Sequence, residues 1–348
     1  MHLKQVSLQH FRSYSKAHFS FDQQLTVIVG PNASGKSNLV EAISLLSLGK
    51  SFRTSKDKQL IAFGATVAYV SGDITDETKL EVMLSDMPEQ MLKKKYLVNG
   101  IPKRRDGLIG ILPIVLFTPQ DLTLVAGQPG DKRRFLDEVL EQTDPQYASS
   151  LQFYSKALRQ RNALLEFMQK SGRRDEERFE YWDNLLIING KVLTEKREAL
   201  IDYINHREKK LFPYKLVYDA SLMSRERLLQ YKDAEVGAGM TLVGPQRDDI
   251  IIQSPHPVSK ELEDVKYFCS RGQQRLVTLE LKNAQIAYFK EQLQVQPLLI
   301  LDDIFSELDS EHITHVLQLT YDFQTIITTT HKEFLNVGVE AAVIELGK

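Results

Sequence analysis

Two spacings of apolar residues divide this chain. From Met1 to about Thr118, and again after about Met240, short apolar runs bounded by turn residues predict strands, the clearest being Leu25-Thr26-Val27-Ile28-Val29, Pro297 to Leu301, and Thr325 to Ile327. Ser37 to Leu48 breaks that rhythm, with Leu39, Ile43 and Leu46 on one helical face and Gly49 as a C-cap. Tyr96 to Ile101 carries the Asn99-Gly100 pair that a type I′ hairpin turn asks for. Between about Pro129 and Pro213 the spacing becomes three and four: Leu151, Tyr154, Leu158, Leu165 and Met168, interrupted by Arg161, then Trp182, Leu186, Leu193 and Leu200. Ser171 to Glu177 is a polar hinge between the two series, which predicts two antiparallel helices, either projecting as an arm or lying flat as a subdomain. The expected division is a head of residues 1–120 and 240–348 and a helical domain of residues 121–239.

Composition narrows the picture only slightly. A chain of 348 residues, 42% of them hydrophobic, can bury a core and fits about two domains. Lys plus Arg number 44 against 46 acids, a net charge of -2, so any polyanion site must be a local patch. The longest apolar stretch, Ile109 to Phe117, contains Pro113 and is about half the length of a membrane helix, and no export signal is visible near His2, Lys4, His10 and Arg12. A single cysteine, Cys269, excludes an intrachain disulfide and suits a reducing cytoplasm.

The chemistry begins at Gly30-Pro31-Asn32-Ala33-Ser34-Gly35-Lys36-Ser37-Asn38, which fits G-x-x-x-x-G-K-[ST] between a strand and a helix. Glycines let backbone N–H groups close around phosphate oxygens, Lys36 reaches the terminal phosphates, Ser37 ligates Mg²⁺, and the helix aims its positive end at the anion. Leu298-Leu299-Ile300-Leu301 ends in Asp302 and Asp303, where one carboxylate can hold the metal and the other orient a water; an Asp there can also simply cap the next helix. Ser270-Arg271-Gly272-Gln273 precedes a helical pattern and reads either as a second phosphate-binding end or as a polar helix start. His331, after a threonine-rich strand, is either a γ-phosphate sensor or a surface histidine.

Taken in order, the glycine loop, S-x-G-Q, the strand with two acids, Ser306-Glu307-Leu308-Asp309 and His331 resemble the ABC-type ATPase class. The separation of Ser37 from Ser270 by more than two hundred positions is similar to the SMC/Rad50/RecF branch rather than to a transporter cassette. Phe11-Arg12-Ser13-Tyr14, Ser51-Phe52-Arg53-Thr54, Phe117 to Leu122, Arg133 to Asp137, Val98-Asn99-Gly100 and Gly244-Pro245-Gln246-Arg247-Asp248-Asp249 resemble the bacterial RecF family from end to end.

That resemblance implies an α/β fold, a P-loop ABC-type ATPase head of SMC/Rad50-like form with an inserted helical arm domain. It implies ATP and Mg²⁺ as cofactors, a homodimer made by ATP, double-stranded and gapped DNA as ligand, and RecR, RecO and RecA as pathway partners, with no membrane. It places Lys36, Asp303 and His331 in catalysis, Ser37, Asp302 and the Q-loop residue Gln120 at the metal, and Arg12, Arg53, Ser270, Gly272 and Gln273 at phosphates. Asp303 stands where the wider class has glutamate, one methylene shorter, which implies slow turnover; Arg271 and Cys269 also depart from the usual signature.

Candidate DNA contacts are Lys50, Lys56, Lys58, Lys93, Lys94, Lys95, Lys103, Arg104 and Arg105, because affinity comes from cations that neutralise phosphates. The same lysines also serve as solvated edge charges that stop a hairpin from aggregating. A transporter-type ATPase subunit is the rival reading, and a chromosome-organising head or an ATP-gated nuclease a third; no zinc or nuclease spacing supports the last.

Overall fold

The computed structural model describes residues 2–347 apart from 76, 88–91, 122–123, 173–175, 257, 308–312, 314–315, 317–321 and 331–340. The chain divides into two compact units, residues 1–121 with 285–348, and residues 122–284. The first unit opens with β1 (Leu3–Phe11), β2 (Tyr14–Ser20), β3 (Leu25–Val29), α1 (Lys36–Leu48), β4 (Val67–Ile74), β5 (Lys79–Ser85), β6 (Lys93–Val98), β7 (Ile101–Lys103) and β8 (Ile114–Phe117). The second contributes α2 (Pro129–Thr143), α3 (Pro145–Ser171), α4 (Glu176–His206), β9 (Lys215–Asp219), α5 (Arg225–Gln230), α6 (Lys232–Ala238), β10 (Asp249–Pro255), β11 (Leu262–Asp264) and α7 (Val265–Phe268). The boundary falls inside α8 (Arg271–Leu293), after which β12 (Leu298–Asp302), β13 (Thr325–Thr329) and β14 (Ala342–Glu345) complete the first unit.

Five strands of that unit pair in parallel in the order β14-β3-β13-β12-β8. β3, β12 and β13 are buried at every residue, as strands covered on both faces must be, which is why their sequences read as continuous apolar runs. Six others form an antiparallel sheet in the order β2-β1-β4-β5-β6-β7, and here burial alternates: β5 buries Leu80, Val82 and Leu84 on one face. Helix α1 touches strands of both sheets, and every residue in it except Ser37 and Asn38 is buried. A helix apolar on nearly all sides is thus the centre of the core rather than a surface element. The Asn99-Gly100 hairpin forms as expected, with φ of 53° and 75° at its two central residues.

In the second unit α3 and α4 pack along one another, with residues 173–175 of the hinge outside the described ones. Arg161 does not interrupt the buried stripe of Tyr154, Ala157 and Leu165; it belongs to it. Its guanidinium donates to Asp183 at 2.5 Å and to Thr241 Oγ1 at 2.9 Å, and pairs with buried Glu235 at 2.7 Å. Two stretches that carried the family resemblance meet in a second buried knot. Arg197 donates to Asp137 and to Asp248, each at 2.8 Å, while Arg133 donates to the Asp248 carbonyl at 2.5 Å. The Asp248 of G-P-Q-R-D-D is therefore a structural counter-ion.

The expected boundary near residue 240 is corrected by pairing. β10 joins β9 and β11 in a three-stranded antiparallel sheet, and Lys132 of α2 donates to the Ile250 carbonyl at 2.6 Å. Residues 240–284 consequently group with the helices, because hydrogen bonding and not the local strand pattern decides membership.

Candidate nucleotide site

Between β3 and α1 the chain must turn without a side chain blocking the pocket. Ala33 and Gly35 take left-handed φ of 65° and 105°. A Cβ at Gly35 would lie 2.6 Å from the Tyr14 hydroxyl, which itself donates to the Gly35 carbonyl at 3.1 Å. Burial pushes the Tyr14 phenol up to about 12, so it stays a donor. The Lys36 ammonium folds back to donate to the carbonyls of Gly30 at 2.7 Å and Pro31 at 2.9 Å. Burial lowers its pKa, and the carboxylates of Asp303 and Asp302 pull the other way. An anion entering the loop would take over these ammonium protons.

The loop opens into a pocket of ≈ 300 Å³ lined by Asn32, Ala33, Gly35, Lys36, Ser37, Asn38, Arg53 and Asp303. Residues far apart in sequence converge here because β3, β13 and β12 lie side by side and end at the same edge. Asp302, buried at the end of β12, accepts from Ser37 Oγ at 3.2 Å and from Thr328 Oγ1 at 2.7 Å. Asp303, directly after the strand, turns with φ 53°, its N–H donating to Thr328 Oγ1 at 3.0 Å, and itself forms part of the pocket wall. Thr328 was not singled out in the sequence, since one threonine in a threonine run carries no mark.

A hydroxyl and a carboxylate oxygen at this separation suit a hard cation such as Mg²⁺. Among the described residues no group of three or more His, Cys, Asp or Glu could hold a metal unaided, so Ser37 and Asp302 would share the ion with phosphate oxygens and water.

Behind the loop lies a residue the sequence reading passed over. Glu41 is fully buried in α1 and is held by Arg12, by Ser51 Oγ at 2.5 Å and by Arg53 at 3.5 Å. Arg12 is thus committed to a carboxylate in this structure. Arg53 reaches both sides, donating to Asn38 Oδ1 at 2.9 Å while lining the pocket, and Asn38 in turn donates to Ser13 Oγ at 2.8 Å. A lone acid in an amphipathic pattern looks solvent-facing, and only the burial of α1 on all sides reveals it.

Other candidates are not among the residues that line this pocket. Gln120 is exposed three residues past β8, the strand next to β12. Ser270 and Gln273, in the second unit, cap α8 reciprocally: Ser270 N–H donates to Gln273 Oε1 at 2.9 Å and Gln273 N–H to Ser270 Oγ at 3.3 Å. Gly272 is exposed, and an added Cβ would meet only Ser270 Oγ, at 3.9 Å. His331, Leu308 and Asp309 lie outside the described residues.

Strand alternation sorts the basic residues. Lys93 and Lys95 are exposed on the outer face of β6, and Lys103, Arg104, Lys56 and Lys58 are also exposed. Lys94, on the inner face with Tyr96, pairs with Asp57 at 2.7 Å and is only 12% exposed; burial lowers its pKa. Arg105 donates to the Leu48 carbonyl at 2.8 Å, against the end of α1, and Lys50 is half-buried there. Lys94 and Arg105, counted with the DNA candidates on sequence, are thus engaged within the chain, Lys94 by Asp57 and Arg105 by the Leu48 carbonyl.

A phosphate loop between a buried strand and a helix, with an acid pair at the end of a parallel strand separated from the first by one other in the same sheet, defines a P-loop ATPase head of ABC type. The model of the RecF/RecN/SMC N terminal domain matches residues 2–346. Curated relatives named DNA replication and repair protein RecF include that of Moorella thermoacetica, 38% identical over 94% of this chain and 90% of the relative, and that of Exiguobacterium sp., 36% identical over 95% and 93%. The chain belongs to the RecF family. A solved structure described as the recombination mediator protein RecF-ATP in the RecFOR pathway superposes with TM-score 0.85 at 28% identity, covering 99% of this chain and 95% of that one. An Smc head from Pyrococcus furiosus shares the fold, with TM-score 0.50 at 19% identity over 96% and 90%.

Proposed function

We propose that this chain is a recombination mediator of RecF type, which binds Mg-ATP, dimerises on it and holds gapped DNA near single- and double-strand junctions. The observation that carries the reading is the convergence of Lys36, Ser37, Asp302 and Asp303 at one sheet edge. Lys36 neutralises the terminal phosphates, Ser37 and Asp302 hold the metal, and Asp303 orients the attacking water.

Ser270 and Gly272 of a second copy close the site over the γ-phosphate. Exposure of Tyr267 at 73% and Phe268 at 65%, three and two residues before Ser270, supports a surface that another chain covers. Nucleotide bound only by the dimer favours it by mass action, and hydrolysis releases it, so ATP acts as a timer. RecR, RecO and RecA are the pathway proteins this assembly serves, in the cytoplasm. No described helix is long and apolar enough to cross a membrane.

The test is turnover. The chain hydrolyses ATP slowly without DNA, and Asp303→Asn lowers the rate by about 100-fold or more while nucleotide binding is retained. Fast DNA-independent hydrolysis, or an Asn variant as active as the parent, contradicts the assignment.

A further inference from the structure

Among the described residues Phe63 is the most exposed large apolar side chain, at 107%, and it is not on a loose end. It sits at the tip of the turn 62–65, closed by Ala65 N–H donating to the Ala62 carbonyl at 3.0 Å, with Gly64 at φ 80° as a type II turn requires. The base of the turn is pinned on both sides. Ala62 N–H donates to the His10 carbonyl at 2.8 Å, Ile61 bridges Phe11, Arg12 N–H donates to the Leu60 carbonyl at 2.9 Å, and Leu60 is fully buried. A rigid turn thus presents an aromatic ring to solvent.

Its surroundings are cationic. Lys56 and Lys58 stand on the 3₁₀ turn just before it, and Asp86 N–H donates to the Thr66 carbonyl at 2.8 Å, tying the turn to the strand end that faces Lys93. Among the described residues of this end, Asp57 pairs with Lys94 at 2.7 Å and Asp86 with Lys58 at 2.8 Å, with Lys56 and Lys93 exposed beside them. A lone ring among lysines finds no face on an uninterrupted duplex, whose bases are stacked. An unpaired base beside a duplex end offers one, with phosphates on either side for the ammonium groups.

We propose that Phe63 stacks on the first unpaired base at a single-/double-strand boundary and so distinguishes gapped DNA from plain duplex. This rests on the DNA-binding reading above and adds a specificity residue to it.

The experiment uses the full chain with Mg-ATP and a gapped duplex carrying 2-aminopurine at the first unpaired position, beside an uninterrupted duplex of the same length. Binding by the parent quenches the probe. Phe63→Ala weakens binding to gapped DNA by roughly 10-fold or more and abolishes the quench. Its affinity for plain duplex and its melting temperature stay as in the parent, and Phe63→Trp restores both quench and affinity. An alanine variant that binds gapped DNA like the parent, or loses gapped and plain duplex alike, overturns the proposal. Loss of ATP-dependent dimerisation in that variant assigns the ring to a second copy and overturns it too. A parent chain that binds no gapped DNA overturns the DNA reading itself, and the role of Phe63 with it.

Discussion

The Arg12 guanidinium grips the Glu41 carboxylate with two hydrogen bonds, Nε to Oε2 at 2.8 Å and Nη2 to Oε1 at 2.7 Å. Glu41 has no exposure to solvent, so this cation stabilises a charge that burial would otherwise penalise heavily. Arg12→Ala should therefore cost about 3 kcal/mol of stability in the absence of any nucleotide. Thermal unfolding of the nucleotide-free protein checks it. A variant as stable as the parent would mean that Arg12 serves phosphate alone.

Thr328 donates to Asp302 and accepts from the Asp303 N–H, so one hydroxyl sets both acids. Thr328→Val keeps the shape and removes the hydroxyl. It should cost about 1 to 3 kcal/mol and weaken ATP binding in Mg²⁺ more than in its absence. Titration of nucleotide with and without Mg²⁺ reads the difference; equal losses would remove Thr328 from the metal's surroundings.

The sorting of the lysines predicts a salt dependence. Replacing Lys93, Lys95 and Lys103 together by Gln should flatten the slope of log affinity for DNA against log salt by roughly 2 to 3. Lys94→Gln, which breaks the pair with Asp57, should lower stability and leave the slope alone. An unchanged slope in the triple variant moves DNA to another face.

What was legible beforehand was what is local. The phosphate loop, the Asn99-Gly100 hairpin, the helix ending at Gly49 and the acid pair closing β12 each declare themselves within a few residues. Glu41 and Thr328 did not, because their roles come from a helix buried on all sides and from a neighbouring strand. Lys94 and Lys93 are adjacent and identical in sequence, and only the face on which Leu80, Val82 and Leu84 pack tells the inward one from the exposed one. Residues 240–284 misled for the same reason: a strand pattern shows that β10 exists and not that β9 is its partner.

The central claim is that two copies close around ATP, and the molar mass in solution tests it most directly. Light scattering on the parent, Asp303→Asn and Ser270→Arg, each with and without Mg-ATP, should show doubling with nucleotide in the parent. The doubled mass should persist in the Asn variant, where hydrolysis is blocked, and be lost in the Arg variant, where a bulky cation replaces the exposed hydroxyl. A mass that stays at one chain under saturating Mg-ATP, or an Arg variant that dimerises like the parent, would contradict the sandwich and leave Ser270 as the cap of α8 alone.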